Sequence, residues 1–349
     1  MVVWIAFLLF VFLLLALDLG VFHRKAHVVS VPEALTWTCV WVTLALLFSG
    51  FVYFAYEYQW LGLGVTPDAV DRSAQFPEGR VNDGWSAFLK FVTGYIVEES
   101  LSIDNVFVMA MLFQYFAVPR KYQHRVLFWG ILGAVAMRGF MIGVGAQLVA
   151  QFSWILYIFG IVLIITAIRM AFFTPEEMDP SRNWIVRQVQ RHFPVTNQYH
   201  EEHFFIRGPQ GFMLTPLALA LVMVETTDLV FAIDSIPAIF AITADPFLVF
   251  TSNVFAILGL RSLYFALAGA LHALHYMKHA LSAVLLVVGV KMLAHEPIKA
   301  VLGENFNLYL LALVVTILGI GLVASLLHRA ANGAPEASSA GAADLKSTD

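Results

Sequence analysis

Carboxylates interrupt two long apolar segments of the sequence, in the stretches IVEESLSIDN and VETTDLVFAIDS. They are Glu98, Glu99 and Asp104 in the first segment and Glu225, Asp228 and Asp234 in the second. A charge inside a membrane helix costs about 2.5–3.5 kcal/mol on insertion scales, so each one needs a reason. Together with nearby hydroxyls and the amide of Asn105, these carboxylates form an oxygen-only ligand set. Such a set suits hard divalent cations, Mn²⁺, Mg²⁺ or Ca²⁺.

Helical geometry limits how these side chains can converge. At 100° per residue, Glu98 and Asn105 share a face, whereas Asp104 points away from Glu98. Pro237 cannot donate to the carbonyl of Ile233, which predicts a bent or unwound turn beside Asp234. Our hypothesis makes Asp104 and Asp234 the central paired ligands. The further metal ligands or proton carriers are Glu98, Glu225, Asp228 and Asn105.

Four basic side chains also fall inside apolar segments, and they are Arg138, Arg169, Arg261 and Lys291. They allow a purely structural interpretation, in which the carboxylates are neutralised by permanent ion pairs. With Asp18 counted, however, seven acids face four bases. Burying the surplus charge without protons or metal would be very costly, so we expect some acids to pair and others to alternate between proton and metal.

The composition places these charges in an all-α membrane protein. Hydrophobic residues make up 60% of the chain, charged residues 13%, and the mean hydropathy is +0.79. Soluble domains average about 25% charged residues. A net charge of −4 without a basic cluster argues against a nucleic-acid partner. No Walker phosphate-binding loop is present, which argues against ATP hydrolysis by this chain.

Apolar runs long enough to cross a bilayer recur about nine times, which predicts about nine transmembrane helices. They cover residues 2–22, 34–56, 86–114, 126–150, 152–173, 212–243, 247–272, 279–295 and 306–328. We predict a single transmembrane domain over 1–330 and a disordered cytoplasmic tail over 331–349. Basic residues cluster in alternate connections, which predicts an outer amino terminus and an inner carboxyl terminus. The loop 174–211 contains NWIVRQVQRHF, which is typical of an amphipathic helix lying along the inner membrane surface.

The charged helices form an internal repeat. IDNV at Asp104 matches IDSI at Asp234, and the helices that follow carry one cation each, Arg138 and Arg169 against Arg261 and Lys291. Predicted helices 3–5 (86–173) thus correspond to helices 6–8 (212–295). Because each unit has three helices, the second copy enters the membrane from the opposite side. Such inverted repeats let a transporter expose one midplane site to either face in turn.

At these residues the chain resembles the TerC/Alx family, within the larger set of LysE-like exporters, and is most similar to the Alx branch. The resemblance rests on EESLSIDNVFV, on the block from YHEEHFFIR through TPLALALVMVETTDLVFAIDSIPAIFAIT to NVFAILGLRSLYF, and on VGVKMLAHE. It implies a nine-helix bacterial inner-membrane protein linked to Mn²⁺ export, with tellurite resistance in the TerC branch. The acidic positions that the family is thought to use fall on Glu98, Asp104, Glu225, Asp228 and Asp234.

The sequence therefore predicts a secondary transporter that exports a divalent metal from the cytoplasm. Mn²⁺ is the first candidate for this metal, and protons are the candidate counter-ion. It predicts no enzyme and no tightly bound cofactor, and membrane lipid is a further expected partner. Two alternatives remain at this stage. The chain could be an assembly or insertion factor for other membrane proteins. It could also be an intramembrane aspartyl protease that uses Asp104 and Asp234, although no GxGD motif surrounds either residue.

Overall fold

The computed structural model of the protein describes most of the chain. The described residues are 2–17, 29–71, 78–152, 154–172, 184–196, 198–208, 211–267, 276–294, 297–298 and 306–331. Asp18 and the predicted tail beyond residue 331 lie outside these ranges.

Ten α-helices form most of the described chain. They are α1 (Val2–Leu17), α2 (Val31–Glu57), α3 (Gly84–Tyr115), α4 (Arg120–Gln151), α5 (Ile155–Phe172), α6 (Trp184–His192), α7 (Pro216–Phe240), α8 (Pro246–Leu267), α9 (Met277–Leu293) and α10 (Phe306–Ala331). Two short antiparallel hairpins accompany them: β1 (Pro67–Asp68) with β2 (Arg80–Val81), and β3 (Phe205–Gly208) with β4 (Gly211–Leu214).

Several helices begin where the sequence offers a cap. Ser30 and Glu33 form a capping box at the start of α2, and the Asp83 side chain accepts from the Ser86 amide at the start of α3. At α7, Thr215 accepts from the Ala218 amide and Pro216 occupies the first turn. These caps satisfy backbone amides that have no partner within the helix, and so they fix where the site-bearing helices begin.

The packing places α8 at the centre, since its apolar window is almost completely buried. The helix α3 packs mainly against α8, and α7 packs mainly against α4, while α5 and α9 form a close pair. Each acidic helix therefore lies beside the first cation-bearing helix of the other predicted repeat. This pairing brings carboxylates and arginines from distant parts of the sequence into one interior.

Six helices within the described ranges are long and apolar enough to cross a membrane: α2, α4, α5, α7, α8 and α10. The other three predicted spans correspond to α1 and α9, which are shorter, and to α3, which carries the acidic run. A multi-helix membrane protein is thus supported, whereas the count of nine spans and the inverted repeat stay predictions.

Two details of the predicted helices were wrong. The segment 212–215 is not the start of α7, because residues 211–214 form strand β4 and the Thr215 cap delays the helix to Pro216. The unwound turn expected beside Asp234 is also absent, since α7 continues as a helix through Pro237 to Phe240. Pro237 lies in the last turn, so the helix can end shortly after it without unwinding beside Asp234. The short amphipathic helix predicted within the loop 174–211 is present as α6.

Candidate metal-binding site

Asp104 of α3 and Asp234 of α7, both partly buried, line one cavity of about 50 Å³. This exceeds the roughly 10–15 Å³ that a single buried water needs. Asn105 and Ser235 line the same cavity, and its remaining walls are apolar, formed by Leu101, Met170, Phe231 and Leu285. The two predicted central ligands, 130 positions apart in the chain, are thus brought to one space.

The hydrogen bonds of Asn105 and Asp234 indicate which of their oxygens could accept a ligand. The amide oxygen of Asn105 is buried and has no hydrogen-bond partner within the described chain. An unpartnered buried acceptor is costly unless something else satisfies it. One oxygen of Asp234 accepts from the Thr166 hydroxyl of α5 at 2.8 Å, which leaves its other oxygen for a ligand. The cavity therefore offers oxygen acceptors, as a hard cation requires.

No group of three or more carboxylate, histidine or cysteine side chains that could hold a metal forms among the described residues. The cavity brings together two carboxylates, one amide and one hydroxyl. An ion there would need water to complete its coordination shell, as Mn²⁺ and Mg²⁺ readily accept.

Glu98 and Asp228 form a second cluster around Arg138 of α4. The Arg138 guanidinium donates to Asp228 at 2.9 and 3.2 Å, and it also forms an ion pair with Glu98. It donates further to Ser235 and Asn253, at 3.2 and 3.3 Å. All three charged side chains are at most 3% exposed. One cation against two carboxylates leaves a deficit of one positive charge if both acids are ionised.

Ser235 connects the two clusters, because it lines the cavity and also accepts a hydrogen bond from Arg138. Glu98 and Asp104, which helical geometry predicted to point apart, therefore lie in two adjacent groups. They do not belong to one ring of ligands.

Glu225 lies against α4, one helical turn before Asp228. A Cβ atom built at Gly133 would overlap the Glu225 carboxyl group, so the absence of a side chain at Gly133 makes room for it. One Glu225 oxygen is buried without a hydrogen-bond partner among the described residues. A buried oxygen of this kind is costly unless a proton or a ligand satisfies it.

The other predicted charge-pairing residues occupy different places. Arg261 and Asp228 line a second, smaller cavity of about 10 Å³. Arg169 is close enough for its charge to attract Asp234. Lys291 donates to the Ala241 carbonyl at the carboxyl-terminal end of α7, and its Nζ lies 5.3 Å from the Phe306 ring centroid.

A buried ion network that the sequence analysis missed closes the Lys291 end of the bundle. Lys90 of α3 donates to Asp68 at 2.7 Å and to Asp71 at 2.5 Å, and both Lys90 and Asp68 are fully buried as side chains. Asp68 also accepts from the Thr243 hydroxyl and the Ala244 amide beyond α7. The signal was present in the sequence as Lys90, a charge within the span 86–114 that was left uncounted.

This network controls the titration of Asp68, which lies in the connection between α2 and α3. Burial by itself would raise the pKa of this carboxyl. The Lys90 charge, together with hydrogen bonds from Lys90, Thr243 and the Ala244 amide, outweighs burial and lowers the pKa to about 2. Asp68 is therefore ionised at any ordinary pH and fixes the connection to the α7–α8 corner.

Comparison with known proteins agrees with this architecture. The profile of the integral membrane protein TerC family matches residues 83–333. The chain is 44% identical over 324 residues to the uncharacterized membrane protein STKORF319 of Myxococcus xanthus, covering 93% of this chain and 92% of that one. It is 42% identical over 317 residues to Alx of Escherichia coli K12, named as a proposed membrane-bound redox modulator, covering 89% and 93%. No solved structure gives a significant match. The resemblance seen in the sequence is confirmed: this chain belongs to the TerC family of integral membrane proteins and is similar to Alx over most of its length.

Proposed function

We propose that this protein is a secondary transporter that exports Mn²⁺ from the cytoplasm across the bacterial inner membrane. The observation that carries the proposal is the cavity shared by Asp104 and Asp234. Asn105 also lines it, and its buried side-chain oxygen has no hydrogen-bond partner among the described residues. Two carboxylates can compensate the double charge of a divalent ion. No lining residue of this cavity is basic.

Arg138 supports transport as a tethered cation. It holds Glu98 and Asp228 while these carboxylates have no metal, and thereby limits the cost of burying them. When an ion enters the cavity beside Ser235, its charge competes with the guanidinium for the surrounding acids. The site can then pass between a metal-bound and an arginine-paired arrangement, which is what repeated loading and release require.

Alternating access in this proposal relies on the inverted repeat of α3–α5 and α7–α9. The reciprocal pairing of α3 with α8 and of α7 with α4 supports it, because a two-fold relation between the repeats would exchange these two contacts. The proposed orientation has the amino terminus outside. In that orientation the Lys90–Asp68 network lies at the outer end, and the basic turn between α3 and α4 lies at the inner end.

The printed name of Alx describes a redox role for that relative. This chain has a single cysteine, Cys39, so it cannot form an internal disulfide. We therefore propose metal transport rather than intramolecular thiol exchange. We also propose no enzymatic activity, since the metal-ligand chemistry accounts for the asparagine and threonine beside the two aspartates, which a protease dyad leaves unexplained.

The experiment is uptake of Mn²⁺ into inverted membrane vesicles from cells that express the protein, with and without an imposed pH gradient. Wild-type vesicles should accumulate Mn²⁺. Asp104→Asn and Asp234→Asn should each abolish accumulation, because each removes half of the compensating charge. Glu201→Gln, which changes an exposed acid in the loop before β3, is the matched control and should transport normally.

Competition with Ca²⁺ and Mg²⁺ in the same vesicles defines the ion. Normal Mn²⁺ accumulation by Asp234→Asn would refute the proposed site. Peptide cleavage by the purified protein would point to the protease alternative. Normal cellular Mn²⁺ with defective insertion of other membrane proteins, in cells lacking the protein, would favour the assembly factor.

A further inference from the structure

The described part of the connection between α5 and α7 contains a small folded unit with two exposed faces that carry arginine and aromatic side chains. The unit consists of α6 and the β3–β4 hairpin, and we refer to it as the platform. The segment after α6 joins the hairpin directly, because the Leu214 amide donates to the Pro194 carbonyl and the Thr196 amide donates to the Leu214 carbonyl, both at 2.9 Å.

One face of α6 is buried and the opposite face is open. Val186 is buried among side chains of α3, α4 and α7. Trp184, Arg187 and Arg191 are exposed, and their spacing of three and four residues places them on one face. The helix sequence, WIVRQVQRH, contains no acidic residue. This face is therefore positively charged and carries a tryptophan that is 69% exposed.

The hairpin repeats this combination in strand form. Arg207 of β3 pairs with Phe212 of β4 in register, and Phe205 lies two residues before Arg207, so all three side chains share one face. Phe205 and Phe212 are 64% and 66% exposed. The Arg207 guanidinium lies 5.2 Å from the Phe212 ring centroid. Ile206 and Met213, on the other face, are partly buried.

The platform is fastened to one end of the helix bundle. The Tyr199 hydroxyl donates to the Phe116 carbonyl at the end of α3, and Glu202 forms an ion pair with Arg125 near the start of α4. The Thr215 hydroxyl that caps α7 donates to the His203 carbonyl at 2.8 Å. These contacts hold the exposed faces beside the end of α3 and the starts of α4 and α7.

We propose that the platform binds anionic phospholipid headgroups of the leaflet at this end of the bundle. Arginines that lie beside exposed aromatic rings at a membrane boundary match the two layers of the interface: the rings enter the upper acyl region, and the guanidinium groups contact phosphates. An acid-free helix face selects anionic over zwitterionic lipid. The nearby Glu202 does not oppose this, because it is engaged by Arg125. The proposal is independent of which ion is transported.

The test is native mass spectrometry of the full-length protein in detergent, titrated with phosphatidylglycerol or with phosphatidylcholine. Wild-type protein should retain phosphatidylglycerol preferentially. Each arginine near an anionic surface contributes about fivefold in affinity, so Arg187→Gln/Arg191→Gln should weaken phosphatidylglycerol binding by about 25-fold. The matched control, Arg120→Gln/Lys121→Gln, removes two exposed charges at the same end but outside the platform. It should change the affinity by less than the platform variant.

A second variant keeps the proposal testable if the α6 double variant is unstable. Phe205→Ser/Phe212→Ser should weaken binding of both lipids to a similar degree, because it removes ring insertion and leaves the charges. Equal phosphatidylglycerol affinity in wild type and in either platform variant would overturn the proposal. An equal loss in the Arg120→Gln/Lys121→Gln control would also overturn it, because the binding would then be general to basic residues at this end.

Discussion

Arg138→Met is the most informative perturbation of the interior. It removes a side chain that donates to Glu98, Asp228, Ser235 and Asn253, and it leaves two carboxylates buried without their cation. Breaking a buried ion pair by removing one partner costs about 3–5 kcal/mol. At about 2 °C per kcal/mol, the value appropriate to long chains, the melting temperature should fall by about 6–10 °C.

The cost arises from the stranded carboxylates, and a compensating variant can show this. Arg138→Met/Glu98→Gln/Asp228→Asn removes all three charges and should recover most of the lost melting temperature, because neutral side chains can share the remaining hydrogen bonds. Arg187→Met, which replaces an exposed arginine, should shift the melting temperature little.

The assay is thermal unfolding of purified protein in detergent, followed by circular dichroism, with and without Mn²⁺. Added Mn²⁺ should stabilise Arg138→Met more than wild type, because the ion can replace the missing positive charge between Glu98 and Asp228. The reasoning would be refuted if Arg138→Met melted at the wild-type temperature, or if the triple variant were no more stable than the single one.

Three further predictions concern neighbouring features. Gly133→Ala should lower Mn²⁺ transport, because the new methyl group displaces the Glu225 carboxyl, although alanine favours helices over glycine by about 0.5–1 kcal/mol. Gly143→Ala, on the same helix but with open space around it, is the control and should transport normally. Equal transport rates in the two variants would contradict the argument. Thr166→Val should raise the KM for Mn²⁺ by about tenfold or more, since it removes a hydrogen bond to the Asp234 carboxylate. The control in the same uptake assay is Thr316→Val, which removes only a hydrogen bond to the Ala312 carbonyl within α10. Because the pKa of Asp68 is lowered to about 2, its stabilising contribution is complete above about pH 4 and is lost as the pH falls towards 2. Asp68→Asn should therefore show less acid destabilisation than wild type over that range in a melting-temperature series, and an unchanged acid profile would argue against the network.

The sequence by itself determined the membrane class, the helices and the residue types of the site. Apolar length and periodicity are local properties, and so the spans were predicted to within a few residues for most helices. The two errors were also local. A strand and a threonine cap delayed the start of α7, and Pro237 fell close enough to the end of α7 to be accommodated within it.

Only the tertiary structure decided which charges meet. The sequence could not show that Asp104 and Asp234 share a cavity, that Arg138 holds Glu98 and Asp228, or that Lys90 fixes the connection before α3. These contacts join residues from 22 to 130 positions apart, and they depend on the order and rotation of packed helices. Helical periodicity gives the face on which a side chain lies, but only packing determines what that face contacts. Two of the carboxylates, Asp104 and Asp234, line a cavity, and two others, Glu98 and Asp228, pair with Arg138. This division is therefore a property of the assembled bundle.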